Sequence, residues 1–232
     1  MIPSFNVLAR SRTWDIATRV VSAGCLALLG MAAVAAILST LRQLDAGGSN
    51  ARLISTLVVN ICIFLLMVIE TTLVIGRPRA VAKASGMQAR VCALAGTWII
   101  FLLVLLPVRT DLSITAYRIA AVLTTLGDLL AIYVVMTLGG SFSIMAEARR
   151  MVEHGPYAIV RHPLYLAEEI ALAGAILTYL SWQALALLAL QLFFQYRRAR
   201  NEERILASTF PAYLAYLHRT PMWLPSLAFL KR

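Results

Sequence analysis

The densest chemistry in the 232-residue chain is HGPYAIVRHPLY, residues 154–165. It holds two closely placed histidines, His154 and His162, together with Tyr157, Arg161 and Tyr165. Gly155-Pro156 marks a turn, and Pro163 suits the first position of a helix, where its missing N–H costs nothing. The turn after Pro163 then presents free N–H groups at the positive end of a helix dipole, a seat for a carboxylate or phosphate. Tyr157 supplies a flat surface that could hold an adenine or a lipid. His162 and Tyr165, three apart, share a helix face. The same residue types at headgroup depth also make an interfacial anchor, so this stretch alone leaves both readings open.

A second cluster is YRRARNEERIL, residues 196–206. Arg198 and Glu202 are four apart and face one way on a helix, with Glu203 beside them. Such a pair is commonly a solvated one worth about 0.2–0.5 kcal/mol, yet here it sits where a long apolar helix leaves the membrane. Carboxylates also fall inside or beside apolar runs, at Glu70, Asp128, Glu168 and Glu169. Intramembrane carboxylates are costly and face a protein interior or a cavity. Glu168 and Glu169 follow Pro163 by less than two turns, so they could line the pocket built on that turn. Glu70 precedes Arg77, with which it could pair, and Asp128 has no evident role. Cys25, Cys62 and Cys92 lie in apolar stretches without metal-ligand spacing, and the histidines form no HExxH pattern. No metal site is expected.

The elements that must position these clusters are membrane helices. Hydrophobic residues make up 60% of the chain and charged residues only 14%, against ~25% charged in a soluble domain. Nucleic-acid binding is not expected despite the net charge of +10, because no basic patch with interleaved aromatics lies outside the apolar runs. Runs long enough to cross a bilayer, about 20 residues, are Val20–Leu41, Leu53–Ile75, Val91–Val108 and Ile119–Leu138. The first exceeds the ~7–15 residues of a cleavable signal core and is read as a retained span. Leu164–Tyr196 is too long for one crossing, and a break at Ser181-Trp182 would make it a tight hairpin. The expected fold is thus all-α, a polytopic bundle of about six transmembrane helices. A charged helix should continue to about Ser208, Phe210-Pro211 should interrupt it, and a short aromatic helix should follow to about His218.

Charge sets the orientation. Of 21 Lys and Arg residues, only Arg42, Arg52, Arg109 and Arg118 fall between spans on one side; the rest fall on the other. The positive-inside rule then puts both termini, the 154–165 turn and the basic tail in the cytoplasm, with the chain in the inner membrane. No paired broken helices or internal repeats mark a secondary transporter.

In order along the chain, LGGSFS (138–143), HGPYAIVRHPLY, Glu202-Glu203, FPAYLAY (210–216) and a closing proline at Pro221 resemble the isoprenylcysteine carboxyl methyltransferase family and its phospholipid methyltransferase relatives. The resemblance covers roughly residues 137–225, and it divides the chain into N-terminal spans, 1–136, and a methyltransferase core with a cytoplasmic C-terminal cofactor-binding region, 137–232. It implies an integral-membrane enzyme that uses S-adenosyl-L-methionine on a lipophilic acceptor. It further implies cofactor contacts from Arg149, Arg150, Met151 and Val152, then Tyr157, then His162, Pro163, Leu164 and Tyr165, then Glu202. Catalytic roles would fall to Arg198 and Glu202, and substrate contacts to Arg198 and Glu203, with Arg197 or Arg200 as alternatives to Arg198 within the arginine run. The family's FG, acidic residue and tyrosine are here Phe210-Pro211-Ala212-Tyr213, a departure on the lid or substrate side. The acceptor could be a prenylcysteine carboxylate or a phospholipid amine. The reading from a different class is a non-enzymatic transporter or scaffold with affinity for anionic lipid.

Overall fold

The computed structural model describes residues 12–47, 51–84 and 86–225 and is all-α apart from one two-residue strand pair. Helix α1 is Arg12–Asp45 and α2 is Ala51–Gly76. The short strand β1, Ala82–Lys83, precedes α3, Met87–Trp98, which tightens into a 3-10 stretch over Ile99–Leu105. Helix α4 is Ile114–Leu138, and β2, Glu147–Ala148, pairs antiparallel with β1 so that Lys83 lies opposite Glu147. Helices α5, Pro163–Thr178, α6, Trp182–Thr209, and α7, Ala212–Arg219, complete the order.

Among the described residues, four stretches are long and apolar enough to cross a membrane: Asp15–Asp45, Ala51–Gly76, Met87–Leu105 and Ile114–Ser141. Their outward faces are apolar as well, with Val20, Leu28, Leu65 and Val104 exposed, as lipid contact requires. The expectation of about six crossings is not confirmed. At 16 residues α5 is about 24 Å long, short of a ~30 Å hydrocarbon core. Helix α6 becomes charged from Arg197 onward.

Nor is the hairpin tight. Ser181 caps α6, its Oγ accepting from the Ala184 N–H at 3.2 Å, so the break falls where expected. Beyond that turn the two helices lean on different neighbours, α5 on α4 and α6 on α3. Glycines decide this. A Cβ at Gly127 would lie 2.3 Å from the Ala171 nitrogen, and one at Gly174 would lie 2.4 Å from the Ala120 oxygen. Only glycine permits that backbone approach between α4 and α5. On the other side, Gln191 Nε2 donates to the Gly96 oxygen at 2.7 Å. A side chain taking a helix carbonyl perturbs the ladder beyond it, and α3 tightens three residues later.

The strand pair gathers one end of the molecule. Arg19 Nη1 donates to the carbonyls of Ile75 (3.1 Å) and Arg77 (2.5 Å), and Lys83 bridges Asp15 (3.6 Å) and Glu147 (3.2 Å). The start of α1, the 77–84 loop and the 139–162 loop therefore share one end. At the other, Arg52 Nη2 donates to the Leu112 oxygen at 2.5 Å, and the Arg109 N–H to the Thr178 oxygen at 2.9 Å.

Candidate active site

The 154–165 turn is held from three directions. Gly155 takes φ 59°, a left-handed conformation that opens a 3-10 turn over Gly155–Ala158. Pro163 begins α5, and the two N–H groups before it reach the C-terminal strap: Arg161 donates to the Pro221 oxygen at 2.8 Å and His162 to the Met222 oxygen at 3.2 Å. The Arg161 guanidinium donates to Glu203 Oε1 at 2.7 Å and to the carbonyls of Leu217 (2.8 Å) and Thr220 (2.7 Å), at the end of α7. A cation suits that negative helix end. His162 Nε2 lies 3.3 Å from the same Glu203 oxygen. Burial pushes the Glu203 carboxyl up, but His162 and Arg161 together hold it below the usual glutamate range. Finally, the Tyr216 hydroxyl donates to the Tyr157 carbonyl at 2.6 Å.

Beside this turn lies a cleft lined by Arg149, Arg150, Met151, Val152, Tyr157, His162, Leu164, Tyr165, Arg198 and Glu202. Stretches some forty residues apart thus close on one space. Tyr165 donates its hydroxyl to Glu202 Oε1 at 2.5 Å, and Arg198 Nε donates to the same oxygen at 3.3 Å. The Arg198 guanidinium stands over the Tyr165 ring, 4.9 Å from its centroid. Its remaining nitrogens donate to Thr97 Oγ1 (3.0 Å) and to the Ser143 carbonyl (3.2 Å). The rings of His162 and Tyr165 stack with centroids 5.3 Å apart.

Two residues named from the sequence are placed otherwise. Pro163 and Glu203 do not line the cleft. Glu203 points back at the turn, and its second oxygen accepts from Arg200 Nη1 at 3.4 Å. One helix cannot aim neighbouring residues the same way, so Glu202 faces the cleft and Glu203 braces it.

The cleft also includes Ser143, Arg161, Leu206, Tyr213 and Tyr216, which the sequence placed in motifs without a cofactor or substrate role, and Met145 and Glu147, which it did not single out. Glu147 is the centre of a buried ion cluster. It accepts from Arg149, from Ser143 Oγ (2.8 Å) and from Lys83 (3.2 Å), with Arg77 at 4.0 Å. Burial opposes its charge, but Arg149, Arg77 and Lys83 hold the carboxyl below its ordinary value. Burial, with the neighbouring Arg149, pushes Arg77 down to about 10. It is bound to this cluster and to Ser143 (2.9 Å), not to Glu70. A two-residue strand has no readable alternation, so the Lys83–Glu147 register left no signal in the sequence.

The other intramembrane carboxylates open elsewhere. Glu70, Asp128, Glu168 and Glu169 all line a second, larger cavity of about 680 Å³. This corrects the reading that Glu168 and Glu169 could line the pocket built on the turn. The start of α5 points Leu164 and Tyr165 into the cleft, and the next turn faces the helix bundle.

Residues 119–208 match the isoprenylcysteine carboxyl methyltransferase (ICMT) family. The resemblance seen in the motifs is thereby shown over that segment, which runs from α4 to the charged end of α6. The matched segment holds Tyr157, His162, Tyr165, Arg198 and Glu202, whereas Tyr213, Tyr216 and the strap lie beyond it. The chain is also similar to the cobalt-zinc-cadmium resistance protein CzcN of Cupriavidus metallidurans, 38% identical over 79 residues, or 34% of this chain and 37% of that one. It is 31% identical over 86 residues to the nickel-cobalt-cadmium resistance protein NccN of Alcaligenes xylosoxydans xylosoxydans, covering 37% of this chain and 40% of the relative. The matched stretch thus spans about two fifths of the length of these curated relatives.

Proposed function

We propose that the protein is an integral-membrane methyltransferase that uses S-adenosyl-L-methionine and acts on a lipophilic acceptor at the cytoplasmic face. One observation carries the reading: within the matched segment, Tyr157 and Glu202 line the same cleft. The residues there suit the cofactor. Arg149 Nη1 is buried with no hydrogen-bond partner among the described residues, a donor for the amino-acid carboxylate. Glu202, whose side chain is 21% exposed, can accept from hydroxyl or ammonium groups. Tyr157, Leu164 and Tyr165 supply apolar and aromatic wall for an adenine. When bound, the cofactor supplies a methyl group on a cationic sulfur.

Transfer of that methyl is a direct displacement, so the protein's task is alignment, worth up to about 7–11 kcal/mol. A serine or cysteine nucleophile with its own base is not required. Arg198 holds Glu202 and Tyr165 in register, and Glu203 with Arg161 holds the turn that carries His162. A nucleophile deprived of water at the bilayer edge reacts more readily with a cation. The relatives' names speak of resistance to metals. Among the described residues, however, no group of three or more His, Cys, Asp or Glu is placed to hold an ion, and the proposal carries no metal role to this chain.

Purified protein in detergent is expected to bind S-adenosyl-L-methionine saturably by calorimetry, with affinity falling at least tenfold in Tyr157→Ala and in His162→Ala. A folded preparation without saturable binding would refute the enzyme reading and favour a transporter or scaffold.

A further inference from the structure

The ion cluster beside the cleft holds more positive than negative charge. Among the described residues, four cations, Arg19, Arg77, Lys83 and Arg149, meet two carboxylates, Asp15 and Glu147, an excess of two positive charges. The Arg77 and Arg149 side chains are each 1% exposed, and that of Glu147 is 3% exposed. Charge buried so deeply is costly unless it is paired. Arg77 Nε and Arg149 Nη1 are nevertheless without a hydrogen-bond partner among the described residues. Arg149 lines the cleft, whereas Arg77 stands behind Ser143, to whose Oγ it donates at 2.9 Å. An anion in the cleft would therefore meet the cluster at Arg149.

Arg149 is fixed in place before any ligand arrives. Its Nε donates to the Pro78 oxygen at 3.0 Å and its Nη2 to Glu147 Oε2, which leaves Nη1 over. Glu147 is fixed in turn: Ser143 Oγ donates to Oε2 at 2.8 Å, and Lys83 Nζ pairs with Oε1 at 3.2 Å. The strand register that sets Lys83 opposite Glu147 is held by the Val81 N–H on the Ala148 oxygen (2.7 Å) and the Ala84 N–H on the Ala146 oxygen (2.9 Å). Lys83 also pairs with Asp15 at 3.6 Å, and Asp15 with Arg19 at 2.8 Å. A chain of ion pairs thus runs from the start of α1, through the 77–84 loop, to one nitrogen of Arg149. Its first members precede residue 119, where the match to the family begins.

We infer that Glu147 and Lys83 are positioning residues that set Arg149 as the seat of the cofactor's carboxylate, so that α1 and the 77–84 loop complete a site the sequence had confined to residues 137–232. The inference rests on the function proposed above. Arg149 makes the contact, and Glu147 aims it. Glu147 itself lines the cleft, where its charge alone would repel an incoming carboxylate. Lys83, with Arg77 behind, offsets that charge. A donor held in its binding geometry beforehand loses little freedom when the ligand arrives.

The test uses the full chain in neutral phosphatidylcholine nanodiscs and two ligands that differ by one group, S-adenosyl-L-methionine and its decarboxylated form. Affinities are read by calorimetry. The wild-type protein is expected to bind the first at least about tenfold more tightly, the size of one hydrogen bond to a charged group. Lys83→Met, similar in length but uncharged, should weaken the first at least fivefold and leave the second no weaker. Lys83→Arg keeps the charge and should keep the preference. Lys83→Gln is read in the same way should Lys83→Met fail to fold. A purely structural role for Lys83 would weaken both ligands alike, and that result overturns the inference. Equal affinity of the wild-type protein for the two ligands overturns the seat while leaving the methyltransferase reading intact. Saturable binding of neither ligand overturns both.

Discussion

Glu203 shows how much one carboxylate can organise. Its side chain is 4% exposed and meets Arg161, His162 and Arg200. Removing one partner from a buried charged group costs about 3–5 kcal/mol, so Glu203→Gln should lower the thermal midpoint and loosen the turn that carries Tyr157. The pH dependence has a definite sign. A carboxyl held below its ordinary value when folded contributes stability that is complete above the unfolded glutamate value of about 4.3 and is lost as pH falls through the folded value. Glu147 is shifted in the same direction. Melting measured from pH 7 downward should therefore fall most steeply below about pH 4.3, and the fall should be shallower in Glu203→Gln. An unchanged acid limb would contradict this role. The type and spacing of Glu202 and Glu203 were legible in the sequence, but their division of labour was not. Helical geometry says that neighbours point apart, not which one meets the turn.

Among the elements, α4 and α5 cross closely, and residues of both line the larger cavity. Gly174→Leu would press a side chain into the Ala120 carbonyl, which a Cβ already approaches to 2.4 Å. Overpacking of this kind costs about 1–3 kcal/mol, and Gly127→Leu should behave alike. Gly24 is the control: nothing lies within 4 Å of a Cβ there, so Gly24→Ala should be neutral or slightly stabilising. Comparable midpoints for Gly174→Leu and Gly24→Ala would refute the close crossing. The helix ends at Ser181, Thr209 and Pro163 follow from capping and proline chemistry and were readable in advance. The partner each helix would choose was not. Lipid-facing and protein-facing positions are both apolar here, so hydrophobic pattern does not identify the packed face.

At the scale of the whole molecule, the basic segments lie together. Lys83, Arg77, Arg149 and Arg161 surround the cleft end, while Arg52 and Arg109 lie at the opposite end. The orientation proposed from the positive-inside rule has the cleft facing the cytoplasm. Exposed Ser113 and Ser208 mark the two ends. In intact cells a membrane-impermeant maleimide should label Ser113→Cys and leave Ser208→Cys unlabelled until the cells are permeabilised; the reverse pattern would invert the topology.

The sequence by itself determined the membrane class, the position of the apolar helices, the turn at 154–165 and the Arg198–Glu202 pair. Each follows from composition or from neighbours within one helical turn. Tertiary structure alone decided that Arg161 would staple α7, that Lys83 would face Glu147, and that four carboxylates from three helices would share one chamber. Those contacts join residues tens of positions apart. Their geometry depends on how each helix is rotated against its neighbours, and in a bilayer hydrophobicity does not set that rotation.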